Sequence, residues 1–182
     1  METETSSTKM SWPANAGHPG DAARASSILF EVSPGSPAVA GDDTEKILAV
    51  ARSWIGTPYV HQASVKGAGC DCLGLLRGVF RELCGEEAET PPPYSPDWAE
   101  ASGAETLYSA MLRHLNEIEL SALAPGDIAL FRMAPRSPAK HCGIVGEQDG
   151  RLTLIHARQN KQVSEERFSA FWQRKLAFAF RM

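Results

Sequence analysis

Gly69-Cys70-Asp71-Cys72-Leu73-Gly74-Leu75 continues through Leu76-Arg77-Gly78-Val79-Phe80-Arg81-Glu82-Leu83-Cys84 to Gly85, and the reading of this stretch decides the fold. Asp71 is a residue type that caps helix N-termini, so the spacing predicts a helix that opens at Asp71 and runs to about Cys84. Leu75, Leu76, Val79, Phe80 and Leu83 recur at helical intervals and give it one buried stripe. Gly85 is its natural stop. Cys72 then sits in the first turn, where unpaired backbone N–H groups and the helix dipole favour a thiolate. The same N–H groups can bind a developing oxyanion, and Gly74 leaves room beside the sulfur. On this feature alone, the commoner role for such a cysteine is that of a small buried hydrophobe.

Upstream, Asp43-Thr44-Glu45-Lys46 supplies cap chemistry, and Ile47, Val50, Ala51 and Trp54 follow at helical spacing. That helix stops at Gly56, with Pro58 just beyond, and an irregular loop spans 59–70. Downstream, Pro91-Pro92-Pro93-Tyr94-Ser95-Pro96 reads as extended, polyproline-like chain that covers surface or lines a groove. Leu107, Met111 and Leu115 give a third helix over 104–115. The period then changes from helix to strand. Pro125-Gly126 is a turn, and strands are predicted at 127–132, 141–147 and 151–157, the last two joined by the hairpin signal Gln148-Asp149-Gly150. A short helix at 168–173 precedes a last strand at 175–181. Helices first and an antiparallel sheet second make an α+β fold.

The 182 residues fit one domain and a tail. Residues 1–42 are rich in Ser, Ala, Gly, Pro and Thr and show no sustained apolar period, so they are expected to form a disordered leader, with the folded domain at 43–182. Met10 is an alternative start. The opening Met1-Glu2-Thr3-Glu4-Thr5 is acidic, and the nearest apolar patch, 27–32, is too short for a secretory core, so synthesis in the cytoplasm without a signal peptide is expected. The net charge of -4 gives no broad attraction to nucleic acid or to an anionic membrane. No apolar run approaches the roughly 20 residues of a membrane helix. Cys70, Cys72, Cys84 and Cys142 are expected to be free thiols. Cys-x-Cys without a matching second pair is poor zinc spacing, so no metal is expected, and no cofactor is needed.

His141 begins the apolar strand His141-Cys142-Gly143-Ile144-Val145, and His156 lies across the hairpin on the next strand. Each has a bland reading, as a polar residue at a sheet edge or a buried strand histidine. Taken with Cys72 they have another. An imidazole beside the thiol takes its proton and gives a nucleophilic ion pair, and a second polar residue fixes the tautomer of the first.

The string Gly69-Cys70-Asp71-Cys72-Leu73-Gly74 resembles the Asp-Cys-Ser-Gly motif of the NlpC family of cell-wall cysteine peptidases. Gly56-Thr57-Pro58-Tyr59, Pro125-Gly126-Asp127, His141-Cys142-Gly143-Ile144-Val145 and Leu154-Ile155-His156-Ala157 are similar to further segments of that family, in the family's order. The resemblance implies a papain-like fold with N-terminal helices packed on a C-terminal antiparallel sheet. It implies hydrolysis of peptide bonds in murein (peptidoglycan) stem peptides, typically between D-glutamate and diaminopimelate. By position, Cys72 is the nucleophile, His141 the base and His156 the orienting residue, with the Tyr59 hydroxyl helping to hold the oxyanion. The wording is most similar to the phage and gene-transfer-agent branch, which implies tail proteins as partners and delivery to the bacterial cell wall by a virion tail. Leu73 departs from the family's Ser, Val60-His61-Gln62 follows Tyr59 where a Gly-Gly turn is usual, and Cys70 and Cys142 are additional thiols. Cys70 is read as structural or as a trap for oxidised Cys72. Two alternatives remain open: a structural tail component without turnover, and an amidase or acyltransferase that uses the same residues.

Overall fold

In the computed structural model, which describes residues 37–95 and 103–182, the Asp71 cap and the Gly85 stop bound the helix as their chemistry dictates. Most of the expected leader, 1–42, lies outside the described residues, as does Pro96. The elements in chain order are α1 (Pro37–Arg52), β1 (Ser64–Val65), β2 (Gly69–Cys70), α2 (Cys72–Cys84), α3 (Thr106–His114), β3 (Asn116–Ile118), a 3-10 turn (Leu120–Ala122), β4 (Ile128–Phe131), β5 (His141–Gln148), β6 (Arg151–His156), β7 (Ser164–Arg167), α4 (Ala170–Lys175) and β8 (Leu176–Arg181). Helix α1 starts ahead of the expected Asp43. Among the described residues, no helix is long and apolar enough to cross a membrane.

Six strands form one antiparallel sheet in the order β3-β8-β4-β5-β6-β7. Strand alternation divides its buried side chains between two layers. Ile128, Leu130, Cys142, Ile144, Ile155 and Phe180 face the helices and pack with Ala51, Trp54, Leu75 and Val79. Ala129, Phe131, Val145 and Leu154 face the other way and pack with Phe168 and Trp172. Strand β4 is covered on both faces, so all four of its residues are buried. Helices α1 and α2 pack together, and α2 lies against β5. The fold is therefore α+β and papain-like, with its first helices on an antiparallel sheet.

Four strands, β1, β2, β3 and β7, were not signalled by period. Strand β7, Ser164-Glu165-Glu166-Arg167, is an edge strand whose charges are paired: Glu165 accepts from Arg52 Nε at 2.9 Å and from the Thr153 hydroxyl at 2.6 Å. The loop at 59–70 carries the β1–β2 hairpin and is pinned by bridges from Pro58 to Gln162 and from Tyr59 to Cys70. The Pro125-Gly126-Asp127 turn is fixed by the buried Asp127 carboxylate, which accepts from Ala124 N–H and Arg181 Nε, both at 2.8 Å.

Candidate active site

Asp71 caps α2 by accepting the Gly74 N–H at 2.8 Å, which leaves Cys72 as the first helical residue. Its other carboxylate oxygen accepts the Gln62 N–H at 2.7 Å and the Tyr94 hydroxyl at 2.5 Å. The Tyr94 carbonyl in turn accepts from His61 Nε2 at 2.8 Å and Gln62 Nε2 at 2.6 Å. The polyproline-like segment thus straps the 59–63 loop to the helix start. Gly74 is required there: a Cβ would fall 1.8 Å from the Ala63 carbonyl oxygen, a backbone atom that cannot step aside.

Cys72 is half-buried, and its sulfur lies 3.9 Å from the Lys140 carbonyl, at the entrance to β5. Its thiol is held well below the usual range. The largest cause is a hydrogen bond from the Cys142 thiol, followed by a hydrogen bond and charge interaction with His141; burial and the charge of Asp71 oppose them. Cys142 is itself pushed well above the usual range, first by the same hydrogen bond. Cys142 is thus the favoured donor of the pair and Cys72 the favoured acceptor. Cys70 is fully buried and pushed up to about 12, chiefly by burial. The thiol brought against Cys72 is Cys142.

His141 is the first residue of β5, and its Nε2 lies 2.9 Å from Nδ1 of His156 on β6. The pairing of Ile144 with Ile155 sets this approach, and Gly143 clears it: a Cβ there would come within 3.0 Å of the His156 Cβ. Trp172 forms the floor under both rings. It stacks on His141 at 5.3 Å between centroids and meets His156 edge-on at 4.9 Å. His156 is fully buried, and its pKa is pushed down to about 3, first by burial and then by the charges of His141, Arg158 and Lys161. It is therefore neutral at neutral pH.

Burying a neutral histidine ties stability to pH. The unfolded ring titrates near about 6.5, so below that value the unfolded state binds a proton that the folded state refuses. Stability falls by about 1.4 kcal/mol for each pH unit below 6.5 and levels off near the folded value of about 3. In His156→Gln, the loss of stability between pH 7 and pH 4.5, read by urea unfolding, should shrink by about 2–3 kcal/mol. An unchanged loss would rule out this source.

Tyr59 is partly buried near the same sulfur. Burial first, then the charges of Cys72 and Asp71, push its pKa up to about 12, so its hydroxyl keeps its proton and can donate. The structure brings together Cys72, His141, His156 and Tyr59, all singled out by the sequence. It adds Cys142, Tyr94, Trp172 and Glu166, whose roles depend on partners distant in the chain. The Pro91-Pro92-Pro93 run before Tyr94 and the extra thiol beside His141 were the local signals for two of these four; Trp172 and Glu166 had none.

Solved structures share this fold. The chain shares its fold with the NlpC/p60 domain of the peptidoglycan hydrolase SagA, at 24% identity and a TM-score of 0.54, over 76% of this chain and 98% of that one. It is also similar to a lipoprotein-like NLP/P60 family protein from Staphylococcus aureus, at 18% identity and a TM-score of 0.55, over 84% of this chain and 44% of that one. The NlpC/P60 family model matches residues 56–181, and the chain belongs to that family. A curated relative, the gamma-DL-glutamyl hydrolase of Bacillus subtilis strain 168, is 24% identical over 131 residues, which is 71% of this chain. The chain spans 27% of that relative's length.

Proposed function

We propose that this domain is a cysteine peptidase that hydrolyses peptide bonds in the stem peptides of peptidoglycan. The observation that carries the reading is the Cys72 thiol at the start of α2, held below its ordinary range in part by His141 on a separate strand, whose Nε2 lies 2.9 Å from His156 Nδ1. Cys72 attacks the carbonyl carbon. The backbone N–H of Cys72 and the Tyr59 hydroxyl stabilise the oxyanion. His141 takes the thiol proton, delivers it to the leaving amine, and then activates the water that releases the acid.

The bond cleaved is that between D-glutamate and diaminopimelate. The resemblance in the sequence and a relative named as a gamma-DL-glutamyl hydrolase support this choice. The resemblance to the phage and gene-transfer-agent branch supports delivery by a tail assembly. Mass spectrometry of peptidoglycan digested by the purified chain tests the reaction: new diaminopimelate amines and D-glutamyl carboxylates are expected. Release of stem peptides with a free L-alanine amine would instead indicate an amidase.

Tyr59→Phe removes one oxyanion donor and should lower kcat by about 10²–10³ with little change in KM. A wild-type kcat in that variant would remove Tyr59 from the mechanism.

A further inference from the structure

The chain of polar contacts does not end at His156. Its Nε2 lies 3.1 Å from Oε1 of Glu166 on β7, and its Nδ1 lies 2.9 Å from His141 Nε2. We propose that Glu166 is a positioning residue that fixes the tautomer of His156 and, through it, the tautomer of His141, so that His141 presents a lone pair to the Cys72 sulfur. The proposal rests on the reading of Cys72 and His141 as the reacting pair.

The argument is one of donors and acceptors. A neutral imidazole has one of each, and an ionised carboxylate only accepts. His156 is fully buried, away from bulk solvent. Among the described residues its Nε2 makes no hydrogen bond of straight geometry, and the Glu166 carboxylate at 3.1 Å is the acceptor set against it. The proton of His156 therefore belongs on Nε2, facing the carboxylate. Its Nδ1 is then an acceptor, and the proton shared between the rings belongs to His141 Nε2. Neutral His141 is left with a lone pair on Nδ1, ready for the thiol proton. The opposite tautomer sets the Nε2 lone pair against a carboxylate oxygen and turns an N–H of His141 towards the sulfur. A neutral ring in that state cannot take the proton.

Glu166 is built into the fold for this contact. The pairing of Leu154 with Glu166 sets Glu166 on the same sheet face as His156. The Trp172 indole N–H donates to Glu166 Oε1 at 2.7 Å, and Arg158 Nη1 lies 3.6 Å from the same oxygen. The residue that floors both imidazoles also aims the carboxylate. Glu165, its neighbour, points to the other face and pairs with Arg52.

The test uses the full chain labelled with 15N-histidine, in which ring nitrogen shifts report the tautomer directly. Wild type should carry the His156 proton on Nε2. Glu166→Leu removes the acceptor and should move His156 towards the Nδ1–H form, slow alkylation of Cys72 by iodoacetamide about 10–100-fold, and lower kcat in proportion with KM unchanged. Glu166→Gln keeps an acceptor oxygen and should restore most of each. Wild-type His156 protonated on Nδ1 overturns the proposal, even if Glu166→Leu does not fold. So does Glu166→Leu with wild-type shifts and wild-type thiol reactivity. The shifts and the alkylation need no substrate. A wild-type chain that shows both but cleaves no peptidoglycan refutes the proposed function and leaves the tautomer assignment standing.

Discussion

Cys72→Ala should leave no measurable hydrolysis of peptidoglycan stem peptides, a loss on the order of 10⁶ in kcat by comparison with nucleophile removal in other acyl-transfer enzymes. The thiols of Cys70 and Cys142 cannot take over. Both are fully buried, and both are pushed up rather than down. The substitution removes one sulfur atom at a half-buried helix start, so the fold should persist and substrate should still bind. Turnover at the wild-type rate in Cys72→Ala would end the acyl-enzyme scheme. An inactive wild-type chain, with no thiol alkylated faster than an ordinary cysteine, would instead favour a structural component.

His141→Ala should cost about 10³–10⁴ in kcat, the upper range for loss of a general acid–base group. It should also change the thiol itself. His141 contributes both a hydrogen bond and a charge that hold Cys72 down. Without them, the pH at which iodoacetamide reactivity rises should move up towards the ordinary thiol value of about 8.5. The acid limb of alkylation therefore shifts upward while the Cys142 hydrogen bond limits the shift. His156→Ala should cost less than His141→Ala, because His156 contacts the base and not the reacting atoms. Unchanged thiol titration in His141→Ala would remove His141 from its role.

Local chemistry explains which parts of the fold were legible in the sequence. The Asp71 cap and Gly85 stop act within a few residues, so α2 could be read with its ends. Gln148-Asp149-Gly150 adopts positive φ at Asp149 and Gly150, so the β5–β6 hairpin and the approach of His141 to His156 followed from it. Strand β7 could not be read this way. Glu165 and Glu166 are poor strand formers, and what orders them is Arg52, Trp172 and the edge of β6. Tyr94 was legible as extended chain but not as a partner of Asp71, because nothing nearby in sequence signals that contact. Cys142 was visible as an extra thiol, but its contact with Cys72 required the packing of α2 against β5.

The sheet order has a consequence for biosynthesis. Strand β8 follows every other strand along the chain, yet it sits inside the sheet, between β3 and β4. Trp172, just before it, floors both imidazoles. A nascent chain therefore emerges from the ribosome with its sulfur and both histidines already made, but without the strand that closes the sheet or the indole that seats the rings. The arrangement of sulfur and stacked rings is therefore complete only once this late segment has emerged and docked, so the site is assembled by the last part of the domain to be made.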